Sequence, residues 1–185
     1  MLLILLSLAC VHHAVPAATG AAPIASEAQV EPLAPRPFGA AALAAGIPNG
    51  TVIRLRIESA GDPTVEQRWE FSDGTADSVV IDSRVYDDKG VLLKDEGTSK
   101  NLWADLEKHA SFPAAATSRT DEVYDGPLGH LAVWLYTVTV AGDDGIMLVK
   151  RYQFAKTIPG PPVLFTIERQ GEEIFRMTML ERSPR

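Results

Sequence analysis

Few residues in this 185-residue chain have the types and spacing that acid–base or nucleophilic chemistry requires. After residue 17 the histidines are His109 and His130, and no cysteine follows Cys10. The sequence holds no H-E-x-x-H, G-x-S-x-G, phosphate-loop or S-x-x-K motif. His109 falls near the end of a predicted helix, where the helix dipole favours it, and His130 precedes a predicted strand. We therefore interpret both as structural and predict a protein without enzymatic activity or cofactor; a hydrolase would need one of them beside a serine and an aspartate.

Two acidic pairs, Asp87-Asp88 and Asp143-Asp144, raise the question of calcium binding. Each pair is followed within two residues by a glycine, Gly90 or Gly145, where a hairpin must turn. Turn chemistry explains this pattern, and neither site has the ligand spacing of an EF-hand loop. We predict two turns and no metal site.

Bulky aromatic and methionine side chains concentrate in the last third of the chain. Alternation along consecutive strands would bring them to one face of a sheet. They either face an apolar ligand on a curved sheet or fill an ordinary core against a helix. The candidate ligand-facing residues are Trp134, Tyr136, Tyr152, Phe154, Phe165, Met177 and Met179.

The elements that would position these residues are mainly strands. Ile53, Leu55 and Ile57 alternate with charged residues, which indicates a half-buried strand with one solvated face. About eight strands joined by short turns are predicted, with one helix at 99–110 capped by Thr98 or Ser99. Residues 114–118 read as a loop and 121–124 as at most a weak strand. We predict one antiparallel β domain over 50–185, curved as a half-barrel or open barrel, with the helix packed on it.

The first 17 residues predict export. The apolar run 2–11 is about half the roughly 20 residues that a membrane-spanning helix needs, and small residues follow it. Two processing routes are open: cleavage after Ala17, or lipidation of Cys10, because Ser7-Leu8-Ala9-Cys10 resembles a bacterial lipobox. The expected location is the periplasm, the cell envelope or the exterior.

Residues 18–49 are rich in alanine and proline and contain few large apolar side chains. This composition predicts a disordered tether. The net charge of −7 disfavours electrostatic binding to nucleic acid or to anionic lipid surfaces, so membrane contact is expected only through a lipid anchor.

Two late stretches carry a family resemblance. Residues 128–136 read LGHLAVWLY and residues 152–163 read YQFAKTIPGPPV. With the leader and tether, this layout resembles LolA-like envelope proteins of bacteria, in which an antiparallel half-barrel wraps around helical cover. The resemblance implies a non-enzymatic protein that holds a lipid or acyl chain on its concave face. The alternative is a structural or partner-binding envelope domain with a filled core.

Export makes a measurable prediction about the mature chain. The intact mass of protein recovered from an envelope fraction should show either loss of the first 17 residues or a lipid on Cys10. Recovery of the unprocessed 20.0 kDa chain would contradict export.

Overall fold

A single antiparallel sheet of nine strands dominates the computed structural model, which describes residues 31–183. This architecture confirms the predicted mainly β class with an open sheet and packed helix. The strands are β1 Val52–Ser59, β2 Val65–Ser72, β3 Ser78–Asp87, β4 Leu92–Leu102, β5 Thr117–Gly126, β6 Gly129–Ala141, β7 Met147–Ala155, β8 Leu164–Arg169 and β9 Glu172–Ser183. The helices are α1 Ala40–Gly46 and α2 Trp103–Lys108, and Ala114–Ala116 form one 3-10 turn.

The strand order is β4-β3-β2-β1-β9-β8-β7-β6-β5. Two meanders, β1 to β4 and β5 to β9, therefore join where the first strand pairs with the last. This pairing leaves β4 and β5 at opposite edges of the sheet. The connection between them, which includes α2, must therefore pass from one edge to the other.

Alternation along the strands separates an apolar face from a charged face. On β1, Ile53 and Leu55 are fully buried, whereas Arg56 and Glu58 are exposed. Register partners continue each face across the sheet, since Leu55 lies opposite Met179 and Arg54 opposite Glu181. The predicted two-faced strand is confirmed.

The predicted helix at 99–110 is wrong at both ends. Residues 99–102 continue β4, where Ser99 lies opposite Ile81 of β3, and the helix runs only over Trp103–Lys108. Its N-cap is Leu102, without a side-chain capping bond, so neither Thr98 nor Ser99 caps it. Pairing with β3 outweighs the local helix pattern because hydrogen bonds between the two strands satisfy the backbone N–H and C=O groups that a helix would otherwise satisfy.

The sequence pattern does not predict strand β5 at its full length. The structure has a strand of ten residues, Thr117–Gly126, where a loop and at most a weak strand were expected. Its side chains are mostly polar and exposed, so burial leaves little trace in its sequence. Pairing with the long strand β6 forms it, and the sheet has nine strands rather than about eight.

The tether prediction is wrong for residues 31–49; residues 1–30, including Cys10, lie outside the described part of the chain. Leu33 forms a β-bridge with Pro113, and the Ala34 N–H donates to the Phe112 carbonyl at 2.9 Å. Phe38, Leu43 and Ile47 are buried in the same core as the sheet. These few apolar residues are enough to order the segment because each of them packs against the apolar face of the sheet.

Replacing Phe38 with alanine should therefore destabilise the fold. Removal of a buried ring costs about 3–5 kcal/mol, whereas Leu33→Ala, on the same segment but 48% exposed, should change stability by less than about 0.5 kcal/mol. Urea unfolding of both variants measures the difference. Equal stability of the two would mean that residues 31–49 are a tether after all.

Candidate functional site

All seven predicted ligand-facing residues lie on the apolar face. The register pairs Trp134 with Phe154, and Tyr136 with Tyr152, across β6 and β7. Tyr152 lies opposite Phe165, and Phe165 lies opposite Met177 on β9. Met179, two residues further along β9, faces the same way.

Phe38 and Phe112 occupy the space in front of several of these residues. The Phe38 ring centroid lies 5.7 Å from that of Trp134 and 6.4 Å from that of Phe154. The Phe112 centroid lies 5.4 Å from that of Tyr136 and 4.7 Å from that of Tyr152. Tyr136 and Phe154, which these two rings contact, are buried core residues. Met179, which lies beside Leu55 and Val163, is fully buried as well. For these three the structure shows ordinary core packing.

Polar contacts hold the cover, residues 31–47 and 103–113, in place. The Tyr136 hydroxyl donates to the Pro35 carbonyl at 2.7 Å. Glu107 of α2 accepts the Ala40 N–H at 2.9 Å and pairs with Arg36, which lowers the pKa of the Glu107 carboxyl. These bonds join the two cover segments to each other and to the sheet.

Arg182 fixes the end of α1. Its guanidinium donates to the Pro159 carbonyl at 2.6 Å and to the Gly46 carbonyl. Burial lowers the pKa of the Arg182 side chain. The last carbonyls of a helix have no partner within the helix, so Arg182 satisfies one and anchors α1 over the face.

The cover protects only part of the apolar face. Beyond the buried row formed by Leu55, Met179 and Val163, the apolar residues are only partly buried. They form a contiguous group on the four central strands β2, β1, β9 and β8, called here the apolar patch. The patch consists of Ile57, Val65, Phe165, Ile167, Phe175 and Met177.

The sequence prediction found part of this patch. Phe165 and Met177 were among the seven candidates, but Ile57, Val65, Ile167 and Phe175 were not. The omitted residues follow the same period of two, so the signal was present in the strand pattern. Only the register shows that β1 lies beside β9 and brings Ile57 opposite Met177.

Tyr152 connects the covered core to the patch. Its ring stacks on Phe165 at a centroid distance of 4.3 Å and an interplanar angle of 9°. Phe165 in turn contacts Phe175 at 5.4 Å. Burial raises the pKa of the Tyr152 phenol to about 12.

The opposite face carries charges. A cleft of about 520 Å³ is lined there mainly by polar side chains, among them Glu66, Arg68 and Glu181. Arg54 bridges Glu66 at 2.6 Å and Glu181 at 3.1 Å. The arginines and carboxylates largely neutralise one another, so this cleft offers no concentrated charge for a ligand.

The residues considered for acid–base or metal chemistry are dispersed. His109 follows α2 and His130 lies on β6, and both are exposed. Asp87 Oδ1 accepts the N–H groups of Lys89 and Val91 at 2.9 and 2.7 Å, which is turn chemistry. Asp144 accepts the Ile146 N–H in the same way. Within residues 31–183, no group of three or more His, Cys, Asp or Glu is arranged to hold a metal ion.

Comparison of the sequence with protein-family models found no match, and comparison with curated proteins found none. Neither helix in the described range 31–183 is long and apolar enough to cross a membrane.

The buried phenol of Tyr152 should make the fold sensitive to alkaline pH. Its folded pKa lies above the ordinary value of 10.0, so the folded state binds the proton more tightly than the unfolded chain. The resulting stability is complete below pH 10 and is lost as the pH rises through about 12. Tyr152→Phe keeps the ring stack and removes this proton. Between pH 10 and about pH 12, urea unfolding should therefore show a smaller loss of stability for Tyr152→Phe than for the unmodified chain. Identical losses in the two proteins would contradict burial of the Tyr152 phenol.

Proposed function

We propose that the protein is an exported, non-enzymatic envelope or periplasmic protein that binds an apolar chain, such as the acyl chain of a fatty acid, on the apolar patch. The observation that carries the proposal is the group of partly buried aromatic and aliphatic residues on the central strands, which the cover leaves accessible. Contiguous apolar surface of this kind is a frequent mark of binding sites. Localisation and the LolA-like resemblance remain predictions from the sequence.

The binding mechanism is burial alone. At about 25 cal/mol per Å², covering a few hundred Å² of apolar surface contributes several kcal/mol before the costs of association. Phe38 and Phe112 already fill the space over the covered core, so the ligand would lie beside the cover, against the patch. Phe165 and Phe175 would supply flat contact area, and Met177 an adaptable one.

Lys150 favours a chain that ends in an acidic group. It lies opposite Ile167, on the same face and at the border of the patch. No acidic side chain in the described part of the chain forms an ion pair with it. A carboxylate at the end of a bound chain would therefore meet an available ammonium group.

A second candidate function is a structural or partner-binding envelope domain without a ligand. The filled space under Phe38 and Phe112 favours it, because no enclosed apolar cavity is needed to explain the seven predicted residues. The two candidates differ in whether the patch takes up lipid, which is measurable.

Native mass spectrometry of the full chain prepared from a membrane-containing host should show co-purified lipid.

With purified protein, cis-parinaric acid should gain fluorescence on binding. Met177→Glu should weaken this binding roughly tenfold or more because it places a charge in the patch. Thr178→Glu, on the same strand but the charged face, is the matched control and should bind normally. If Met177→Glu fails to fold, Phe175→Glu tests the same surface.

The lysine contribution has its own measurement. Lys150→Gln should weaken binding of a fatty acid and leave binding of the corresponding alcohol unchanged.

Protein that carries no lipid and does not bind cis-parinaric acid would reject the proposal and favour the partner-binding domain.

A further inference from the structure

The two edge strands of the sheet differ in how well they are protected against pairing. On β4 the register shifts twice against β3, and Gly97 has φ +77° with its N–H bound to the Asp95 carboxylate. Such irregularities discourage another strand from adding to the edge. On β5, ten consecutive residue pairs with β6 follow without a shift. The β5 edge is therefore a regular strand whose outward N–H and C=O groups are available.

The charges on β5 restrict which strand it can pair with. Arg119, Asp121 and Val123 lie on the apolar-face side, since their partners on β6 include Trp134 and Tyr136. Ser118, Thr120 and Glu122 lie on the other side. In an antiparallel pair of two identical strands, directly opposite residues have side chains on the same face. The side chains of opposite residues therefore share a face only in registers in which one residue lies directly opposite its own copy, with the two-fold axis between the two. Such a register is described here as centred on that residue.

Among these registers, the one centred on Thr120 matches the charges. It places Arg119 of each copy opposite Asp121 of the other, and Ser118 opposite Glu122. Centring on Arg119, Asp121 or Glu122 would instead place like charges directly opposite each other, which is destabilising. The strand is self-complementary in this one register.

We propose that β5 pairs with β5 of a second copy of this chain, antiparallel and centred on Thr120, so that a two-fold dimer carries one continuous sheet. The inference is independent of lipid binding. Because the two-fold axis is perpendicular to the strands and the sheet, both apolar faces would open to the same side of the dimer.

The existing contacts of the two charged residues are compatible with this pairing. Asp121 binds Lys156 at 2.8 Å, yet its side chain stays 73% exposed. Arg119 lies 6.0 Å from the Tyr136 ring centroid, at the outer limit of a cation–π contact, so it is free to turn toward a partner. The pairing would also place Thr117 of the second copy against Val123, which is 59% exposed.

Charge reversal tests the register. Sedimentation velocity of the full chain over about a hundredfold concentration range should show a species of twice the chain mass. Arg119→Asp places two carboxylates opposite each other and should weaken dimerisation roughly tenfold or more. The double variant Arg119→Asp/Asp121→Arg restores opposite charges and should recover the dimer. Circular dichroism checks that each variant is folded.

Cysteine cross-linking tests the two-fold position. In a Cys10→Ser background, Thr120→Cys lies opposite its own copy and should form an intermolecular disulfide under mild oxidation. Ser118→Cys, two residues away, would lie about 14 Å from its copy, four residues along the strand and one strand across, which is beyond the reach of a disulfide. It is the matched control and should stay reduced.

A chain that remains monomeric at every concentration would overturn the proposal. A dimer that Arg119→Asp leaves intact, or equal cross-linking of the two cysteine variants, would also overturn it, since both would mean association through another surface.

Discussion

The need to cover one apolar face of an open sheet organises the rest of this structure. Because β1 pairs with β9 in the middle of the sheet, β4 and β5 lie at opposite edges. The segment that connects them therefore spans the width of the sheet and brings Trp103 and Phe112 into the core. The alanine- and proline-rich segment before β1 completes the cover with Phe38, Leu43 and Ile47.

The size of this cover divides the apolar face in two. The row of Leu55, Val163 and Met179 is buried in the same core as the two short helices, and the patch around Phe175 and Met177 is only partly buried. Stability and the proposed binding function therefore use different parts of one surface. Tyr152 belongs to both, since it contacts Phe112 of the cover and Phe165 of the patch.

Local patterns were informative where a strand has one buried and one solvated face. The alternation in β1 and the glycine turns at Gly90 and Gly145 appear in the structure as expected, because both depend on neighbouring residues only. The patterns misled where partners are distant. Residues 99–102 pair with β3, β5 exists because β6 supplies its ladder, and residues 31–49 are ordered by a surface formed from later strands.

The sequence by itself determined the mainly β class, the separation of apolar and charged faces, and the common orientation of the seven aromatic and methionine residues. A period of two is a local property, and it survives in any sheet that these strands form. Only the tertiary structure decided that Tyr136, Phe154 and Met179 are buried core and that Phe165 and Met177 belong to a partly buried patch. That difference depends on which part of the apolar face the two cover segments occupy. Their place follows from contacts between residues far apart in the sequence, which no local pattern encodes.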